Sequence, residues 1–164
     1  MRQITKLFFW VILSIPVLMA CDKDDDVHPS QVPVTVTDAM IAKYPEAIHV
    51  EWEYKQNYYM ADCLYKGSKM KAWFNTYGVW VQTELEIGWI DLPKLVQESF
   101  RAGKYASWFV EDLEELQFPL NPNLYMIEVE NGEREVQLFY SVEGNQVKEI
   151  DITGKEDTLW PHSY

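Results

Sequence analysis

The sequence predicts an α+β fold in which one unit, a helix followed by a three- or four-stranded antiparallel sheet, occurs twice in tandem. The helices lie on one face and the other sheet face is left open. Three features predict this arrangement. There are two amphipathic runs each preceded by a proline, blocks of alternating apolar and polar residues separated by turn residues, and a constant spacing of 66 between matching blocks of the two halves.

The helices come first in each half. Pro33 precedes Val36, Met40, Ile41 and Tyr44, and Pro93 precedes Val96, Phe100 and Tyr105. Spacings of three, four and seven collect these side chains on one helical face, and a proline near the start gives up only a donor that the first turn does not use. Asp91 is the expected N-cap of the second helix and Gly103 its stop.

The strands follow. Tyr59 to Cys63 matches Tyr125 to Val129, Trp73-Phe74 matches Phe139-Tyr140, and Gly78 matches Gly144. Lys66-Gly67-Ser68 and Asn131-Gly132 separate the first two blocks of each half, and Asn75 to Gly78 and Glu143 to Asn145 the next two, so antiparallel hairpins are expected. A preceding strand is expected at His49 to Tyr54 and at Asp112 to Gln117, the latter running into a proline-rich loop, Phe118 to Asn123.

Residues 1–20 read as a lipoprotein signal peptide. Arg2 and Lys6 make a basic start, and the apolar run Leu7 to Val17 is short for a bilayer span. Leu18-Met19-Ala20-Cys21 resembles a lipobox, which makes Cys21 the lipidation site, and Asp22 to Asp26 is a charge run that stays solvated. Residues 21–31 are therefore read as an acidic tether, 32–90 and 91–153 as the two repeats, and 154–164 as a C-terminal tail. With Cys21 acylated, Cys63 has no partner for an intrachain disulfide. Aromatics at 15% and seven tryptophans demand a folded core, while removal of the leader takes the formal charge from -12 to -14. Such a charge repels nucleic acid and anionic membrane surfaces, so a macromolecular partner is expected to be basic and membrane contact to run through the lipid alone.

The chain resembles the PepSY-like, β-lactamase-inhibitor-like family of periplasmic proteins of Bacteroidetes. The likeness is carried by Val32-Pro33, Lys43-Tyr44-Pro45, Val50-Glu51-Trp52, Tyr58-Tyr59, Ala72-Trp73-Phe74, Gly78-Val79-Trp80, Thr83-Glu84, Asp91-Leu92-Pro93 and Gly144-Asn145, and spans Val32 to Ile152. The resemblance implies a curved sheet with helices on its convex side and a concave face that engages a target enzyme in the inhibitor proteins. The acidic run after Cys21 resembles a Bacteroidetes surface-export signal, so the expected location is an outer-membrane lipoprotein, facing either the periplasm or the cell surface.

No chemistry of catalysis stands out. His28, His49 and His162 are scattered, no phosphate loop or paired-cysteine motif occurs, and no metal or cofactor is assigned. The carboxylate pairs Glu51/Glu53, Asp112/Glu114 and Glu114/Glu115 read as a solvated acidic surface, and Cys63 as a buried thiol. Strand alternation turns Met70, Ala72 and Phe74, with Val136, Leu138 and Tyr140, toward the helices. It turns a second set away: Trp73, Trp80 and Phe139 with Met60, Met126, Lys71, Gln82 and Gln137. Aromatics and methionines mixed with polar groups suit a surface that docks a protein or peptide. Two arrangements satisfy the pattern: the rings face solvent, or they are covered by the other half, by the loop Pro119 to Asn123 or by the tail through Trp160. The function expected is a non-enzymatic binding module. The alternatives are a glycan or small-molecule binder and, by resemblance, an inhibitor of a peptidase or β-lactamase.

Overall fold

The computed structural model describes residues 26–155. The leader, Cys21, the tether up to Asp25, Trp160 and His162 lie outside the described residues. After a 3-10 turn at Pro29–Gln31, the order is α1 (Val34–Lys43), β1 (Ile48–Lys55), β2 (Tyr58–Tyr65), β3 (Ser68–Asn75) and β4 (Trp80–Glu86). A second 3-10 turn at Trp89–Asp91 leads into α2 (Lys94–Ala102), β5 (Phe109–Gln117), β6 (Leu124–Glu130), β7 (Glu135–Ser141) and β8 (Gln146–Asp151).

All eight strands join one sheet in sequence order, each antiparallel to the next. The halves meet as neighbouring strands, Thr83 opposite Gln117 and Glu86 opposite Glu114. Irregular register recurs at corresponding places of the two halves, at Ile48/Glu51 and Val110/Asp112, and at Trp73/Phe74 and Phe139/Tyr140. Each such bulge adds a residue to one strand and strengthens the local twist.

Each helix is short and gains its stability from packing. Val36 and Met40 of α1 share a cluster with Trp52, Met70 and Phe74, and Val96 and Phe100 of α2 share one with Ile127, Val136 and Leu138. Ile41, expected on the buried face of α1, is exposed, because it follows Met40 by a single residue and is turned about 100° from it. Asp91 does not cap α2 either. Pro93 stands at the N-cap, and the Asp91 carboxylate accepts the Gly88 N–H across the 3-10 turn. Gly103 closes α2, its N–H donating to the Phe100 carbonyl at 3.0 Å.

The β1–β2 hairpin turns on Gln56-Asn57, both at positive φ, and β2–β3 on Lys66-Gly67, likewise. The β3–β4 loop is held by the Asn75 side chain, which accepts the N–H groups of Tyr77 and Val79. No helix of the described residues is long and apolar enough to cross a membrane.

Candidate functional site

α1 packs on Trp52, Met70 and Phe74 and α2 on Ile127, Val136 and Leu138, and the alternate face of these strands carries residues singled out from the sequence. Cross-strand register sets them in rows: Glu53, Met60, Trp73 and Gln82, then Glu51, Asp62, Lys71 and Glu84, then Glu86, Glu114, Met126, Phe139 and Lys148.

Trp80 is not among them. Trp73 pairs with Gln82 but Phe74 pairs with Trp80, so Val81 is an extra residue and Trp80 is flipped to the helix side. There it joins the α1 cluster, donates from Nε1 to Thr83 Oγ1 at 2.9 Å and lies beneath the Lys43 ammonium, 3.4 Å from ring centroid to Nζ. Thr83 Oγ1 also bonds the Tyr44 hydroxyl at 2.5 Å, and burial pushes Tyr44 up to about 12.

The expectation that the remaining rings face solvent is corrected. Met60 is 3% exposed, Trp73 4%, Met126 1% and Phe139 0%, and Gln82 and Gln137 are buried with them. Their polar atoms turn sideways along the sheet. Trp73 Nε1 and Gln82 Nε2 both donate to Glu84 Oε1 at 2.8 Å, and Gln137 Nε2 donates to Glu128 Oε2 at 2.9 Å. A carboxylate receiving such donors is held in place, so this part of the face is an ordered polar network over buried rings.

What the same face opens to solvent is a cleft of about 720 Å³. Among the described residues eight carboxylates line it, from Glu51, Asp62, Glu84, Glu86, Glu111, Asp112, Glu114 and Glu128, against two ammonium groups, Lys69 and Lys71. Its walls come from β1 through β6, a span of about 24 Å in a flat sheet, so the sheet curls around it. Carboxylates stand directly opposite one another at Glu51/Asp62, Glu86/Glu114 and Asp112/Glu128. Like charges in that position destabilise a strand pair. Lys71 lies between Asp62 and Glu84 in register, and Lys69 reaches Glu86 at 3.8 Å. Burial raises the Asp62 carboxyl above its usual range; Lys71 opposes the shift while Glu53 and Glu51 add to it.

Of the binding set read from the sequence, only Lys71 lines this cleft. Glu114, read as solvated, is 6% exposed, and Glu84, which that reading did not single out as a site, is 2% exposed. The alternation that turned Asp62 and Glu128 away from the helices was visible, but their convergence with Glu86 and Glu111 required the β4–β5 pairing and the bulge at Glu111. Cys63 is buried among the α1 cluster, and desolvation followed by the Asp62 charge pushes its thiol up to about 11, which leaves it unreactive. His28 accepts the Ser30 N–H at the first 3-10 turn, and His49 sits at the cleft rim at positive φ. Among the described residues no group of three or more His, Cys, Asp or Glu side chains converges as metal ligands.

The family described as "Putative beta-lactamase-inhibitor-like, PepSY-like" matches residues 18–65 and 57–148. A BLIP-like protein from Bacteroides fragilis superposes with a TM-score of 0.74 at 35% identity, covering 84% of this chain and 96% of that one. A DUF2874 family protein from Bacteroides ovatus does so with a TM-score of 0.75 at 30% identity, covering 79% and 94%. A third, from Bacteroides eggerthii, named among "putative periplasmic proteins", has a TM-score of 0.76 at 24% identity, covering 78% and 94%. No curated protein matches the chain.

Proposed function

Because the chain belongs to the PepSY-like, β-lactamase-inhibitor-like family, we propose that it is a non-enzymatic, extracytoplasmic binding module whose acidic cleft docks a basic protein segment or peptide. The carrying observation is the set of carboxylates placed directly opposite one another across β1–β2, β4–β5 and β5–β6. A sheet selected for stability alone would alternate signs at such positions, and a row of acidic groups along a cleft is complementary to a cationic partner. Such a surface steers encounter and selects by charge.

The lipobox at Leu18 to Cys21, the acidic run that follows and the naming of the Bacteroides eggerthii relative support an outer-membrane lipoprotein, periplasmic or surface-exposed. The constant spacing of 66 and the recurrence of helix-then-four-strands support reading the halves as copies of one unit, 32–90 and 91–153. An inhibitor reading is favoured by the family description and by the Bacteroides fragilis relative; its target would present a basic loop to the cleft. The glycan reading needed tryptophans open to solvent, and Trp73 is buried.

The test is charge reversal at exposed cleft positions. Glu51→Lys, Glu86→Lys and Glu111→Lys together are expected to reduce binding of a nona-arginine probe more than tenfold. Reversal at the exposed positions Asp38, Glu98 and Glu133 outside the cleft is expected to reduce it far less. Equal losses in the two triple variants would show that net charge, not the cleft, attracts the probe.

A further inference from the structure

β5 runs on past the strand beside it. Thr83 to Glu86 of β4 stand opposite Gln117 to Glu114, and the pairing ends where the Ile87 N–H donates to the Leu113 carbonyl at 2.9 Å. The next residue would continue the ladder, but Gly88 uses both backbone groups in the second 3-10 turn. Its N–H donates to the Asp91 carboxylate at 3.1 Å, and its carbonyl accepts the Asp91 N–H at 2.9 Å. Ile87 and Trp89 pack against the α2 cluster, so the chain leaves the sheet toward the helix. Among the described residues, Phe109 to Asp112 therefore have a strand neighbour on the β6 side alone. Such an edge presents N–H and C=O groups to an extended chain laid alongside it.

This edge lies where the cleft opens. Glu111 and Asp112 line the cleft, and Glu111 is exposed. Phe109 stands opposite Glu130; because the adjacent Val129 packs in the α2 cluster, alternation puts Phe109 on the cleft's face of the sheet, where it is 66% exposed. Four residues at about 3.4 Å each give a lane of about 14 Å in line with β4. Arginine is the side chain that suits both features, since its guanidinium forks onto a carboxylate and stacks over an aromatic ring. We propose that the basic partner segment binds in extended form, as a strand added to β5 along Phe109 to Asp112, with arginines at alternate positions turned toward Phe109 and the cleft carboxylates. The inference deepens the cationic reading of the cleft and rests on it. Charge draws the segment in, and main-chain pairing fixes its conformation and register.

A nine-residue peptide of alternating arginine and threonine, titrated into the full chain by calorimetry, tests this. A strand added to one edge pairs through the N–H groups of every second residue. Two further versions of the peptide carry backbone N-methyl groups, one on its arginines and the other on its threonines. Methylation of one set is expected to weaken binding by roughly tenfold or more, and methylation of the other set by less than about threefold. Equal affinities for the two methylated peptides would overturn the proposal and leave the cationic reading of the cleft standing, because their charges are identical. Failure of the unmethylated peptide to bind would remove both. Hydrogen exchange supplies the location: saturating unmethylated peptide is expected to slow amide exchange within 109–112 several-fold. Slowing confined to β1 or β8, the outer strands of the sheet, or no slowing at all, would overturn the assignment to β5.

Discussion

Asp62 ionises less readily in the folded protein than a free aspartate does. Burial is the largest cause of its raised pKa, and Glu53 and Glu51 add to it, so the folded state binds the Asp62 proton more tightly than the unfolded chain does. The sign follows from linkage: ionised Asp62 costs stability above its raised pKa, and the cost fades as pH falls to the ordinary value of 3.8 and is absent below it. Asp62→Asn is therefore expected to melt higher than the parent protein at pH 7, with the difference closing below about pH 4. Equal melting temperatures at pH 7 by calorimetry would show that Lys71 fully offsets the cost. At this scale the sequence could be read for Cys63, whose neighbours alternate cleanly, but not for Trp80. Val81 bears no glycine or proline to mark the bulge that turns Trp80 over.

The hairpin loops explain how the helices are seated. Gly78 and Gly144, both at positive φ, lie against the backbone of α1 and α2. A Cβ at Gly78 would fall on the Thr35 carbonyl, and one at Gly144 would come within 2.5 Å of the Leu95 carbonyl oxygen. Gly67 shares the positive φ but has open space around it. Gly78→Ala and Gly144→Ala are each expected to cost about 2–3 kcal/mol, strain plus loss of helix docking, and Gly67→Ala about 1 kcal/mol, strain alone. Urea denaturation of the three variants checks this, and equal losses would mean that the helix contact contributes nothing. Turn residues and hairpins were legible at this scale because they are local. Asp91 was not, since a 3-10 turn intervened between the expected cap and the helix.

At the scale of the whole molecule, negative charge is concentrated where six strands curl around one cleft. Screening should relieve that repulsion, so melting temperature is expected to rise by several degrees between about 0.02 M and 0.5 M sodium chloride, as the Debye length falls below the spacing of the carboxylates. A flat salt response would show that the cleft charges are already neutralised within the chain. The sequence by itself determined the family, the α+β class, the antiparallel strands with their two helices and the acidic character, because periodicity, turn chemistry and composition are properties of short stretches. Only the tertiary structure decided that the halves join edge to edge through β4 and β5, that carboxylates from five strands share one cleft, and that Trp73 and Phe139 are buried. Those outcomes depend on which strand lies beside which and on what packs above the sheet, contacts between residues far apart in the chain that no local pattern records.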